Sequence, residues 1–383
     1  MLRKTLLLLA MFCFKIAIAQ QDSADIYCQT KISLLTCGPG DELYSSFGHT
    51  AIRVQTPNFD IVFNYGTFEF EDPNFLAKFV RGKLPYFLSV ERMSDFKMAY
   101  TYEKRSIYEQ DLGLKCAEKQ AILEALRVNA REENKFYKYD FTFDNCTTRA
   151  LDILNKTVGN QFDLPKSVPI PYSFRTAIHH DLDNGGFAWS KLGIDILLGA
   201  HLDRKMTRAE TRFLPAQLMN DLNETKIRNQ PLVAARTELL NAPERTANNK
   251  WIPSITLGSI FLLLILLNFM KSRKARTFNN LVFRLVLFVT GTLGVLLVFM
   301  WFGTDHYMCA NNMNLIWALP TNLIACFIPF NQKTRYYFQV VFLINLLMVI
   351  NWAWLPQSMN LALLPVALYL AFKSYRVYAE KSN

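Results

Sequence analysis

Histidine is scarce in this 383-residue chain, with five in all and four of them before residue 250. No Cys-x-x-Cys, His-x-x-x-His or Glu-His cluster occurs. One histidine with one cysteine does not complete a zinc site, so metal binding is a poor reading and no cofactor is implied. Internal repeats are absent too. Acidic residues nearly vanish from the last third: residues 251–383 carry ten basic and two acidic groups, a net of +8. Residues 20–250 carry 29 basic against 30 acidic, a net of −1. The formal charge of +10 therefore sits outside the large polar region. That placement excludes nucleic acid as a partner.

Long apolar runs account for the ends of the chain. Residues 1–19 read as a signal peptide: Arg3 and Lys4 precede the apolar stretch Leu6 to Phe14, and Ala17-Ile18-Ala19 is an A-x-A cleavage site. Near the C-terminus, Ile252–Met270, Leu281–Phe302 and Tyr337–Trp354 approach the ~20 residues that a membrane span takes. Leu315–Phe330, broken by Pro320, and the run near Asn360–Phe372 bring the expected spans to five. Lys271 to Arg276, Lys333 with Arg335, and Lys373 with Arg376 then fall on one side, which the positive-inside rule makes cytoplasmic. The other side receives the N-terminal region, the Asp305–Asn314 loop and the Asn351–Asn360 loop. The expected organisation is a signal peptide (1–19), an exported domain (20–162), a helical, loop-rich extension and linker (163–250) and an all-α membrane domain (251–383).

Within the exported region, Lys31–Leu35, Ala51–Gln55 and Asp60–Tyr65 read as strands, the last two as antiparallel neighbours. Met93–Tyr102 and Ala117–Asn129 read as helices, and Phe136 to Phe141 alternates like a strand. The expected class is α+β. The densest chemistry lies at Asp144-Asn145-Cys146-Thr147-Thr148-Arg149, where Ala150, Leu151, Ile153 and Leu154 then recur at helical spacing. Asp144 or Asn145 would cap that helix and leave Cys146 in its first turn. Unpaired N–H groups and the positive end of the helix dipole favour a thiolate there.

A thiol nucleophile needs a base to take its proton and return it to a leaving group. Phe47-Gly48-His49-Thr50 precedes the Ala51–Gln55 strand and places His49 on a rigid sheet. His179 and His180 read as surface residues of a polar helix, and His201 as core or lid. The strand neighbouring His49 offers Asp60, Asn64 and Tyr65 to orient the imidazole, and Asn64, mid-sheet, is preferred. The backbone N–H of Cys146 would donate to an oxyanion, with Tyr44 or Ser46 as further donors. Cys28, Cys37 and Cys116 admit at most one disulfide among them, which would leave Cys146 free. A Cys37–Cys146 bridge would remove the nucleophile.

The run Leu34 to Val54, containing Cys37-Gly38-Pro39-Gly40-Asp41 and Ser46-Phe47-Gly48-His49-Thr50, resembles the Lnb-type lipoprotein N-acyltransferase family. So do Asn64-Tyr65-Gly66-Thr67-Phe68, Lys78 to Lys83, Tyr139 to Arg149, Thr304-Asp305-His306 and Asn314 to Pro320. The order of histidine on a strand, then Asn-Cys opening a helix, also resembles circularly permuted papain-like thiol enzymes. The resemblance implies an inner-membrane protein whose periplasmic domain moves a fatty acyl group from a phospholipid, through a Cys146 thioester, to the N-terminal amine of a diacylated apolipoprotein. Asp305, His306 and Trp317 lie where a membrane-level substrate groove would form. A thiol peptidase or amidase, or a phospholipase in which water replaces the amine, would use the same pair. A non-catalytic membrane assembly factor is the reading from another class.

Overall fold

The computed structural model describes residues 27–69, 71–159, 162–243 and 249–379. The expected signal peptide lies outside them. The chain divides into two compact units, and each is built from several separate stretches. The first takes the described residues up to Phe75, Leu84–Ile170 and the stretch from Met206 to the linker. The second takes Leu76–Lys83, Pro171–Lys205 and the C-terminal helices.

The first unit is organised on an antiparallel sheet of β1 (Lys31–Cys37), β2 (His49–Gln55), β3 (Asp60–Thr67), β4 (Pro85–Arg92), β5 (Ile107–Leu112), β6 (Phe136–Lys138) and a last strand, Val233–Leu240. Their spatial order is Val233–Leu240, β5, β1, β2, β3, β4, β6. β1 is buried from Ile32 to Cys37 because both of its faces are covered. Ile32 and Leu34 meet Ile122, Leu126, Ala150 and Leu154 on one side. Leu35 and Cys37 meet Phe96 and Tyr100 on the other. Helix Cys146–Val158 therefore lies in the core of the first face, its apolar stripe against the sheet. β6 is only three residues long, so the alternation read through Phe141 ends early. Asp140 ends it: its carboxylate accepts from the N–H groups of Thr142 and Phe143 and turns the chain.

One disulfide joins Cys28 to Cys116, at the start of helix Cys116–Asn129. Cys37 and Cys146 are both free thiols.

The second unit is helical. Ile252–Leu267, Arg273–Phe302, Arg335–Ile350 and Leu364–Ala379 are its main helices. Arg273–Phe302, at 30 residues, is long and apolar enough to cross a bilayer, and Ile252–Leu267 and Arg335–Ile350 are shorter apolar helices. The expected span Leu315–Phe330 is not a helix. It breaks into a 3₁₀ turn at Met313–Ile316 and a four-residue helix at Asn322–Ala325. Pro320 interrupts the ladder, and Gly291 and Gly294 of the long helix hold the broken segment close. A Cβ at Gly291 would stand 2.1 Å from the Leu323 nitrogen, and one at Gly294 would stand 2.0 Å from the Ala318 oxygen.

The region expected as one extension is shared between the units. Residues 206–243 supply helix Pro215–Glu224 and the last strand of the sheet. Residues 171–205 fold with the C-terminal helices around a buried ion pair, Arg175 Nη1 to Asp195 Oδ1 at 2.7 Å. Asn360 donates to Asp195 Oδ2 (2.8 Å) and Asn314 to the Asp195 carbonyl (2.9 Å). His179, expected at the surface, instead has Nε2 2.7 Å from Asp195 Oδ1. Burial pushes the Asp195 carboxyl up, but His179, Arg175 and Asn360 outweigh it and hold it below its ordinary value. Sequence spacing cannot reveal this pairing because the partners are up to 165 residues apart.

Candidate active site

The site forms where two neighbouring strands part. The β2–β3 ladder runs from Gln55–Asp60 to Ile52–Phe63 and stops, although β2 starts at His49 and β3 continues to Thr67. The first turn of helix Cys146–Val158 reaches this parting. A Cβ at Gly66 of β3 would stand 3.6 Å from the Cys146 Cβ and 3.7 Å from the Tyr139 ring. Thr50 of β2 directs its backbone N–H to the Cys146 sulfur, and its hydroxyl meets Thr147 Oγ1 at 3.1 Å.

Asn145, rather than Asp144, caps the helix. Its Oδ1 accepts from the N–H groups of Thr147 (2.9 Å) and Thr148 (3.0 Å). Its Nδ2 donates to the carbonyls of Phe141 (2.7 Å) and Phe213 (2.9 Å). Every polar atom of this buried side chain is used, so the turn that presents Cys146 is fixed from both sides. Asp144 serves differently, as the carboxylate of a bidentate pair with Arg149 at 2.6 and 2.7 Å.

His49 Nε2 stands 2.5 Å from Asn64 Oδ1. The amide oxygen can only accept, so Nε2 carries the proton and Nδ1 is left for the thiol. Asn64 is oriented in turn by Glu91, whose Oε1 accepts from Nδ2 at 3.1 Å. The neighbouring carboxylate of Asp60 is bound to Arg53 at 2.6 and 2.8 Å.

Cys146 is 7% exposed. Burial pushes its thiol up, but the His49 charge and hydrogen bond, the Thr50 N–H and the Thr147 hydroxyl outweigh it and bring it to about 7. Burial pushes the His49 imidazole down, and the Cys146 charge and hydrogen bond, with Asn64, raise it above its ordinary value. The two shifts are one event, a thiolate–imidazolium pair titrating together. Cys37 lies opposite His49 on β1 and makes the contrast. Burial pushes its thiol up to about 12, which leaves it protonated and inert at neutral pH.

Gly48 sets the start of β2. Its φ is +80°, and a Cβ there would stand 2.6 Å from the Cys37 carbonyl oxygen. Gly48→Ala must move β1 or His49 and should cost about 1–3 kcal/mol. Thermal unfolding checks the stability, and the pH dependence of Cys146 alkylation reports whether His49 has moved.

The remaining expected site residues fall elsewhere. Tyr44 is 64% exposed, with its ring edge-on to Phe68 at 6.2 Å. Ser46 is buried, and its hydroxyl donates to the Leu43 carbonyl at 2.7 Å, so its proton is committed to the turn. Asp305, His306 and Trp317 belong to the helical unit. There the Asp305 N–H donates to the Arg81 carbonyl (3.1 Å) and His306 Nε2 to the Phe79 carbonyl (3.0 Å). Trp317 is a core residue, 3% exposed, with its indole N–H donating to Asn314 Oδ1 at 2.9 Å.

Several residues at the site gave no clear sequence signal. Thr50 and Thr147 flank the two recognised residues, and a search of immediate neighbours would find them. Glu91 requires the β3–β4 register. Tyr137 and Tyr139 precede the cysteine and form an aromatic wall with Tyr86, whose ring stacks on Tyr139 at 4.3 Å. Phe68 extends it, 5.1 Å from Tyr86. The Tyr137 hydroxyl is buried without a hydrogen-bond partner among the described residues, 3.9 Å from where a Gly66 Cβ would stand.

A thiol of lowered pKa, an imidazole in contact with it and an amide that fixes the imidazole define a thiol–imidazole site on an α+β domain, in a chain that also carries a helical membrane domain. Residues 21–180 match the family model of the Lnb N-terminal periplasmic domain, and residues 246–382 match that of the Lnb transmembrane domain. The chain belongs to the Lnb family and is a membrane protein with a periplasmic domain. No curated protein and no solved structure matches it.

Proposed function

We propose that this protein is a cysteine-dependent N-acyltransferase of the inner membrane, acting on lipoproteins from the periplasmic side. The observation that carries the reading is the Cys146–His49–Asn64 chain of contacts, with the sulfur near neutral pKa. The site's order along the chain and its place at a helix start support a circularly permuted papain-like fold.

In the first step the Cys146 thiolate attacks the carbonyl carbon of a phospholipid ester. A carbon–sulfur bond forms, the ester carbon–oxygen bond breaks, and the His49 imidazolium gives its proton to the departing alkoxide. A lysophospholipid leaves and Cys146 holds the acyl group as a thioester. In the second step the free α-amine of a diacylglyceryl-cysteine attacks that thioester. A carbon–nitrogen bond forms, the carbon–sulfur bond breaks, and neutral His49 takes the amine proton, which restores the thiolate–imidazolium pair. The Cys146 backbone N–H, at the helix start, is the oxyanion donor in both steps. The buried Tyr137 hydroxyl is the side chain best disposed to join it.

The aromatic wall of Tyr139, Tyr86 and Phe68 favours a lipid acyl donor over a peptide. Ring faces bury a hydrocarbon chain without asking for hydrogen bonds. A helical membrane domain also keeps a tethered thiol beside substrates that stay in the bilayer, which raises their effective concentration.

The test uses the purified full-length protein, a phosphatidylethanolamine with one labelled acyl chain, and a synthetic diacylated lipopeptide with a free N-terminus. Intact mass spectrometry should find one added acyl group on the lipopeptide and an equivalent amount of lysophospholipid. Fatty acid release without lipopeptide acylation would make the protein a phospholipase. Cleavage of the lipopeptide backbone would make it a peptidase.

A further inference from the structure

The helical unit carries a second candidate site, made of residues that the chemistry at Cys146 does not use. Helix Ile252–Leu267 begins just after the periplasmic part of the chain, so its far end lies at the cytoplasmic face. There a cavity of about 440 Å³ opens among the ends of Ile252–Leu267, Arg273–Phe302 and Leu364–Ala379. Four cationic side chains line it: Lys271, Arg276, Lys373 and Arg376. Among the described residues no carboxylate lines it.

Topology alone does not call for this arrangement. The positive-inside rule is met by cations anywhere in short cytoplasmic loops, and Lys271, Arg276 and Arg376 are exposed enough for that role. Lys373 is different, being 4% exposed at the cavity floor. Its Nζ donates to Asn268 Oδ1 at 2.9 Å and Asn280 Oδ1 at 3.3 Å, and it lies 5.5 Å from the centre of the Phe283 ring. Asn279, also 4% exposed, ties the start of the long helix to the Leu267 carbonyl at 2.9 Å. Amides thus fix three helix ends around a buried ammonium, with the guanidinium groups of Arg276 and Arg376 at the rim. Positive charge converging in a concave site is the chemistry of phosphate recognition.

The apolar part of the lining narrows the ligand. Phe269 and Met270 line the same cavity and are 63% and 55% exposed. They sit at the end of an apolar helix, where glycerol and the first methylene groups of a lipid would lie. A free phosphate has no use for such a flank. We propose that this cavity binds the phosphate of an anionic phospholipid headgroup from the cytoplasmic leaflet. Its ligand enters from the cytoplasmic leaflet, whereas the proposed acyl transfer takes place on the periplasmic side.

The experiment uses the purified full-length protein, delipidated in neutral detergent. Thermal unfolding is followed as phosphatidylglycerol, phosphatidylcholine or inorganic phosphate is added. Phosphatidylglycerol should stabilise the wild type at concentrations where phosphatidylcholine does not. The double variant Arg276→Gln with Arg376→Gln should bind it at least fivefold more weakly, while Cys146 alkylation is unchanged. The control is Arg273→Gln with Lys274→Gln, which removes the same amount of charge beside Arg276 on the long helix but not from the cavity. It should keep wild-type affinity. Equal loss in both double variants would mean general electrostatic attraction and overturn the site. Equal stabilisation by the two lipids would do the same. Stabilisation by inorganic phosphate equal to that by phosphatidylglycerol would overturn the lipid assignment in favour of a free anion.

Discussion

Cys146→Ala should lower N-acylation by roughly 10⁴-fold or more, the scale seen when a covalent nucleophile is removed. The loss should appear in the rate and not in the fold. The sulfur is one atom at the edge of the core, and the turn that carries it is held by Asn145 and not by the thiol. Thermal unfolding of the variant should therefore remain close to that of the wild type. Mass spectrometry of lipoprotein N-termini from cells carrying the variant as their sole acyltransferase should find the N-terminal cysteine one acyl group short. An acyl adduct that hydroxylamine should release from the wild type as a thioester should also be missing from the variant. Full acylation by the variant would mean that Cys146 is not the nucleophile.

His49→Ala should slow the reaction by about 10²–10⁴-fold, as loss of a general acid–base group does. It should also move a titration. The Cys146 thiol, lowered to about 7, is a thiolate above that pH and gains a proton as the pH falls through it. Alkylation by iodoacetamide in the wild type should accordingly rise with pH about a midpoint near 7. Burial opposes ionisation, and the His49 charge is the largest of the influences that overcome it. Without the imidazole the midpoint should pass above 9.0, the ordinary value for the thiol. At pH 7 the thiolate fraction would then fall from about half to roughly 1% or less. A midpoint that stays near 7 in His49→Ala would sever the pair and leave the helix start alone to explain the thiolate.

The parts of this molecule that were legible in its sequence are those in which nearby residues decide the outcome. Asn145 is one residue before Cys146, and the cap, the helix and the placement of the thiol all follow from that adjacency. His49 was legible because Gly48 and the alternation of Ala51–Gln55 put it at the start of a strand. Asn64 depended on guessing that β2 and β3 are neighbours, and Glu91 on a register across β4 that no local pattern gives. The run Leu315–Phe330 does not form one continuous helix, because composition records hydrophobicity and not continuity. Pro320 marks the break in the sequence, but only the approach of Leu323 and Ala318 to Gly291 and Gly294 shows that the segment packs against a neighbour. The polar neighbours of His179 point to a surface position, whereas Asp195, 16 residues on, draws it to a buried ion pair.

The division of the chain between the two units also bears on biosynthesis. A chain exported from its N-terminus presents Arg175 and Asp195 to the periplasm before Asn314 and Asn360 have been translated. The sheet can close its seven strands by Leu240, with the segment 171–205 still waiting for helices yet to be inserted. A fragment cut in the linker after residue 240 would keep the thiol and the imidazole but strand a buried ion pair without the amides that complete it. The smallest piece of this gene that encodes a finished protein therefore includes the membrane helices.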